Sequence, residues 1–168
     1  LLTATKGSFS AAEIQRQLGH KRYQPIWEMV NKLRDVMGKR DDKYTLEGAI
    51  ELDDAFFSTE ISVEEKEKPL KRGRGSQKKT KVLVMAESKT VENPKPGKKP
   101  KKARYLKMKV INDLKADTIT KNVKEHVEST ADLTTDDSTS YTKLTEHVHS
   151  HTTSVVRHEE LPNMLPWV

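Results

Sequence analysis

The chain has no cysteine, no apolar run of membrane-spanning length and few aromatic residues, and each absence removes a class of function. Without cysteine there is no disulfide, thiolate zinc site or cysteine nucleophile, so any bound metal must be held by oxygen or imidazole. No stretch approaches the roughly 20 apolar residues that cross a bilayer, and no charged N-terminal region leads into an apolar segment and cleavage site. The expectation is a soluble, unexported protein with no membrane partner. A Gly-rich phosphate loop, a hydrolase nucleophile elbow and a zincin helix are also missing, which sets aside three common catalytic designs. Hydrophobic residues make up 33% and aromatics 5% of the 168 residues, below the usual globular mix, so the core is expected to be modest.

What the chain does have is segregated charge. Between Lys66 and Lys109 there are 17 Lys or Arg against three acids, a net +14, which leaves −8 for the rest of a chain whose overall charge is +6. A block of this kind attracts polyanions such as nucleic acid. A solvated basic loop with no specific ligand has the same composition, and charge does not separate the two.

Hydrophobic spacing divides the chain near residue 40. Ser10 with Glu13 three residues on reads as a capping box, followed by Ile14 and Leu18 on one helical face. After Gly19, a second helical run places Ile26, Trp27, Val30, Leu33, Val36 and Met37 at helix spacing, with Pro25 in its first turn. The basic turn contains Lys21, Arg22 and Tyr23, and residues 1–40 form either a small helix-turn-helix DNA-binding module or a plain α-hairpin. Gly38 to Tyr44 reads as a polar linker.

From residue 45 to 168 the pattern is a mixed α/β layer. Leu46 to Phe57 is the first expected strand, and Ser58 to Ser76 a long loop. Lys81 to Ala86 and Tyr105 to Ile111 are expected to pair as a hairpin. Basic loops are placed around 66–80 and 89–102, with Lys71, Arg72, Arg74, Lys98, Lys99, Lys101 and Lys102 as candidate DNA contacts beside Lys21, Arg22 and Tyr23. A helix capped by Asp117 follows through Val127, then a strand from Ala131 to Thr135, a helix over Ser138 to Val148 and a strand over Ser154 to Arg157.

Two acidic pairs stand out, Asp53-Asp54 and Asp136-Asp137, each closing an apolar run. Carboxylates delivered from the ends of separate strands suit Mg²⁺-dependent phosphoryl transfer, because a hard cation takes oxygen ligands on a rigid frame. Strand alternation puts Asp53 with Glu51 on the face opposite Leu52, and Asp136 approaches from a strand end 83 positions later. Asp54 and Asp137 are expected to be an exposed partner and a helix N-cap. All four acids also suit turns and caps, and pattern alone leaves that alternative standing. His147, His149 and His151 alternate, but only a strand would align all three, and surface positions are expected instead.

The order of helix pair, Leu46-Glu47-Gly48-Ala49-Ile50-Glu51-Leu52-Asp53-Asp54, basic loop, Lys81-Val82-Leu83-Val84-Met85 and Thr134-Thr135-Asp136-Asp137 with Tyr141 resembles the ISXO-like group of DDE-type insertion-sequence transposases. The resemblance implies a ribonuclease-H-like mixed sheet with flanking helices, Asp53 and Asp136 as catalytic metal ligands, Mg²⁺ or Mn²⁺ as cofactor and double-stranded DNA as partner. It further implies a homo-oligomer in the full-length protein and a cytoplasmic, nucleoid-associated bacterial enzyme that cuts and joins element ends. Asp54 stands where Glu is commoner, and Phe56 where Tyr is commoner. The family's third active-site segment is expected beyond Pro166-Trp167-Val168, so this reading has the chain bind DNA and cleave it weakly or not at all. A non-enzymatic helix-turn-helix protein and a basic RNA-binding structural protein are the competing readings.

Overall fold

Ser10 and Gly19 bracket the first helix by complementary means. In the computed structural model, which describes residues 9–61, 69, 72–73, 76–97 and 100–154, α1 spans Ala11–Leu18. The Ser10 hydroxyl accepts the Glu13 N–H at 3.1 Å, as the capping-box spacing predicts. Gly19 takes φ 63° and closes the helix through its own N–H to the Arg16 carbonyl, a left-handed turn that glycine adopts without a Cβ penalty. The second helix, α2, runs Tyr23–Asp41, so Gly38 to Asp41 is helical rather than linker.

Chain contacts separate Leu1–Tyr44 from Thr45–Val168 as two units. The first has a small core of Ile14, Ile26 and Val30, with Phe9 and Ala11 packed against it. Leu18, Trp27, Leu33, Val36 and Met37 share the helical spacing yet are exposed. An eight-residue helix can cover only part of one 19 residues long.

The second unit is a five-stranded sheet in the order β3-β2-β1-β4-β5. Its strands are β1 (Ala49–Ser58), β2 (Lys79–Thr90), β3 (Lys101–Ile111), β4 (Asp132–Asp136) and β5 (Ser150–Ser154). The β1–β2 and β2–β3 pairs are antiparallel, and β1–β4 and β4–β5 are parallel. With α3 (Ala116–His126) crossing between β3 and β4, this is the expected ribonuclease-H-like α/β architecture. The near-continuous apolar run of β2 is explained by its position inside the sheet, since Val82 through Ser88 are all buried. The start of β1 is tied to the end of α3 by the Leu46 N–H to the His126 carbonyl at 2.8 Å and the Glu128 N–H to the Leu46 carbonyl at 2.9 Å. Ile50, Leu52, Leu83, Met85 and Leu133 of the strands are buried, as are Ile119 and Val123 of α3.

Several expected elements are corrected. The β2–β3 ladder reaches Thr90 and Lys101, so the connecting loop is shorter than 89–102, and Lys89, Lys101 and Lys102 belong to strands. Lys79 and Thr80 likewise belong to β2 rather than to the loop before it. The two faces of β3 run against simple hydropathy, with Lys107 buried while Leu106, Met108 and Val110 are exposed. Lys115, not Asp117, is the N-cap residue of α3; Asp113 serves that end instead, accepting the Lys115 N–H and the Thr118 hydroxyl.

Ser138 to Val148 is not one helix but two short 3₁₀ turns, Thr139–Tyr141 and Leu144–Glu146. Serine and threonine side chains there bond to nearby backbone, as the Thr142 hydroxyl does to the Thr139 carbonyl at 3.0 Å, and so compete with a regular helix. The last strand is Ser150–Ser154 rather than 154–157; residues 155–157 lie outside the described residues, as does most of the expected loop between Ser58 and Ser76.

Candidate active site

Asp53 lies in the middle of β1 and Asp136 ends β4. The parallel ladder between these strands pairs Glu51 with Thr134 and Leu52 with Thr135, so the next step along both strands sets Asp53 beside Asp136. They stand on the same face, because each lies two residues beyond a facing pair. Neighbouring strands are about 4.8 Å apart, and both side chains are partly buried. Two acids 83 positions apart in sequence are thereby brought side by side on a rigid frame.

Each carboxylate is anchored by a backbone donor. The Asp54 N–H reaches Asp53 Oδ1 at 2.8 Å, and the Ser138 N–H reaches Asp136 Oδ1 at 3.3 Å. Asp54 points to the opposite face. There it is partly buried and accepts the Tyr141 hydroxyl at 3.3 Å, which corrects the expectation of an exposed partner. Asp137 is exposed, and the cap expected of it is supplied by Ser138, whose side chain accepts the Ser140 N–H. Tyr141 is fully buried. Burial first, then the negative charges of Asp54, Asp136 and Asp53, push its hydroxyl far above the ordinary tyrosine range. All three acids therefore act on one hydroxyl.

Residues 45–164 match the family model of the ISXO2-like transposase domain. The chain belongs to this family. No curated protein and no solved structure matches it. The matched span contains the entire sheet of the transposase domain together with Asp53, Asp136 and Tyr141, and the helix pair α1–α2 lies before it. DDE-type transposases act on DNA and generally use divalent metal. No helix among the described residues is long and apolar enough to cross a membrane.

The donor set of the transposase domain fits such an ion. Hydrated Mg²⁺ is commonly held by one or two protein carboxylates, with waters and substrate phosphates completing its shell, and Asp53 with Asp136 supplies two. Among the described residues no group of three His, Asp or Glu is gathered for a metal. His147 closes the second 3₁₀ turn, His149 is exposed and His151 lies in β5. The trio thus spans a turn and a strand. His151 Nε2 lies 2.9 Å from the Thr135 hydroxyl, which donates to the Asp136 carbonyl at 2.7 Å. With that proton committed, His151 Nε2–H is the donor, and burial holds this histidine below its ordinary value.

The candidate DNA contacts fall in three places. Lys21 and Arg22 are exposed in the turn before α2, and Tyr23 begins that helix. Lys101 and Lys102 are exposed at the start of β3, opposite Thr90 and Lys89. Arg72 is exposed in the segment before β2; Lys71, Arg74, Lys98 and Lys99 lie outside the described residues. Val84 pairs with Asp53, and Lys79 and Lys89 stand five residues to either side of it along β2, each about 17 Å away at strand rise. Positive charge thus occupies both ends of β2, and the odd five-residue offset puts these two lysines on the face of the sheet opposite Asp53, Lys79 over the ring of Phe56. Sequence reasoning placed Lys79, Lys89, Lys101 and Lys102 in loops where the structure has them in strands, and it missed the Tyr141–Asp54 bond, for which a tyrosine five residues after Asp136 was the available signal.

Proposed function

We propose that this protein is the transposase of a bacterial insertion sequence, binding double-stranded DNA at element ends and catalysing metal-dependent strand cleavage and transfer. One observation carries the reading: Asp53 and Asp136 each directly follow the last paired residues, Leu52 and Thr135, of neighbouring parallel strands, within a family whose chemistry is carried by such acids. Asp53 and Asp136 would hold Mg²⁺ or Mn²⁺, which supplies charge neutralisation at the phosphodiester and activation of the attacking oxygen. The protein's own contribution is positional. The Asp54 N–H and the Ser138 N–H fix the two carboxylates, and the sheet holds their separation.

The exposed lysines where β2 meets β3, Lys89, Lys101 and Lys102, support a phosphate contact at that end of the hairpin. The helix pair 1–40 acts as a DNA-binding module, presenting Lys21, Arg22 and Tyr23.

Iron-directed cleavage tests this reading without depending on turnover. Fe²⁺ exchanged into the site, with ascorbate and peroxide, should cut bound duplex locally and the polypeptide near residues 53 and 136. Asp53→Asn should abolish both patterns while duplex binding persists. Cutting that survives Asp53→Asn would overturn the metal assignment and leave a non-enzymatic DNA-binding protein. Tighter binding to duplex RNA than to duplex DNA would overturn the choice of substrate.

A further inference from the structure

The parallel ladder between β1 and β4 stops at Leu52 and Thr135, one residue short of the acids on both strands. The sheet fixes the strand positions of both acids, Asp53 pairing with Val84 and Asp136 with Ser154, but backbone pairing does not fix how their side chains are turned. A side-chain connection links them. Asp136 Oδ1 accepts the Ser138 N–H at 3.3 Å, and the Ser138 carbonyl accepts the Tyr141 N–H at 3.0 Å. The Tyr141 hydroxyl then donates to Asp54 Oδ1 at 3.3 Å, and the Asp54 N–H donates to Asp53 Oδ1 at 2.8 Å. The path begins on one acid and ends on the other, through a turn that directly follows β4.

We propose that Tyr141 is a positioning residue for the acid pair, with its hydroxyl and the Asp54 carboxylate forming a bracket that fixes Asp53 relative to Asp136. Asp53 and Asp54 share the peptide plane whose N–H holds the Asp53 carboxylate, so pinning the Asp54 side chain on one face of β1 restricts the Asp53 rotamer on the other. Tyr141 is suited to this because its ring is fully buried. Its hydroxyl has no rotamer-rich stem to reorganise. Asp54 is therefore support for the site, reaching it from the far side of the strand, as outer-shell groups orient ligands in metal centres.

The proposal rests on the reading of Asp53 and Asp136 as metal ligands, and Mn²⁺ affinity separates the two. Free Mn²⁺ is measured by electron paramagnetic resonance for the full chain and for Asp53→Asn, Tyr141→Phe, Asp54→Ala and the Tyr141→Phe/Asp54→Ala double variant. Tyr141→Phe and Asp54→Ala should each weaken Mn²⁺ binding about 10-fold, the lower end of the range for outer-shell partners. The double variant should be no weaker than the worse single one, since both changes open the same bracket. Asp53-dependent Mn²⁺ binding that is unchanged in Tyr141→Phe or in Asp54→Ala overturns the proposal alone. Binding indifferent to Asp53→Asn overturns the site assignment, and the proposal with it. Should Tyr141→Phe fail to fold, Asp54→Ala decides the question, because it removes the acceptor and leaves the buried ring in place.

Discussion

Removing Lys89, Lys101 and Lys102 together should flatten the salt dependence of duplex binding by a predictable amount. These lysines cluster where β2 ends and β3 begins, Lys89 directly opposite Lys102 and Lys101 opposite Thr90, and all three are exposed. If each neutralises one phosphate, the log–log slope of affinity against salt falls by about 0.9 per lysine, or about 2.7 for the three. Across a fourfold rise in salt, that slope corresponds to about 40-fold in affinity that the parent protein loses and the triple alanine variant does not. Fluorescence anisotropy of a labelled duplex over a salt series reads the slope directly. Lys143→Ala is the control, because Lys143 is engaged by Asp117 at 2.7 Å. A triple-variant slope equal to that of the parent would refute the placement of DNA at this end of the hairpin. A slope loss of about 0.9 in the single Lys143 control, the same per lysine as in the triple variant, would show that net charge, not this cluster, governs binding.

Three further outcomes follow from the packing and charge of the fold. His151 is held below its ordinary value by burial, so it binds fewer protons folded than unfolded; its stabilising contribution is present above about pH 6.5 and is lost as pH falls from there through the folded value. Denaturant midpoints across that window should show a step that His151→Gln removes, since glutamine keeps a donor for Thr135 without titrating there. Ser10→Ala should cost the helix pair about 1 kcal/mol by leaving the Glu13 N–H uncapped, measured as a lower urea midpoint. Leu52→Ala should cost about 3 kcal/mol or more, because Leu52 is fully buried in the strand that carries Asp53; a loss under about 1 kcal/mol would contradict the core assignment.

The parts of the fold that were legible in the sequence were those with a local cause. The Ser10 cap, the Gly19 stop and the apolar run of β2 each follow from side chains acting on their own backbone or from a strand covered on both faces. The acid pair was legible because each acid follows an apolar run of strand character, although Asp53 proved to lie inside β1 rather than at its end, and which strands neighbour one another came only from the register. The expected helix over Ser138 to Val148 failed for a local reason. Tyr141, Leu144 and Val148 keep helical spacing, yet the Ser and Thr residues among them bond to local backbone and leave two short turns.

On β3 the alternation was visible, but its polarity was not, since pattern does not say that Lys107 faces inward and Met108 outward. The extent of the hairpin was misjudged because Pro and Gly between Val91 and Pro100 mark a loop without marking how far the ladder runs toward it. Asp54 was read as a spare acid because its partner, Tyr141, lies 87 residues away.

The central claim is that Asp53 and Asp136 jointly hold a divalent ion. Mn²⁺ binding to the full chain, compared with Asp53→Asn, Asp136→Asn and the double variant, tests it most directly. The account predicts that each single variant loses affinity by at least about 10-fold and that the double variant falls little further, as expected for two ligands of one ion. Equal Mn²⁺ affinity in the parent chain and in all three variants would contradict it.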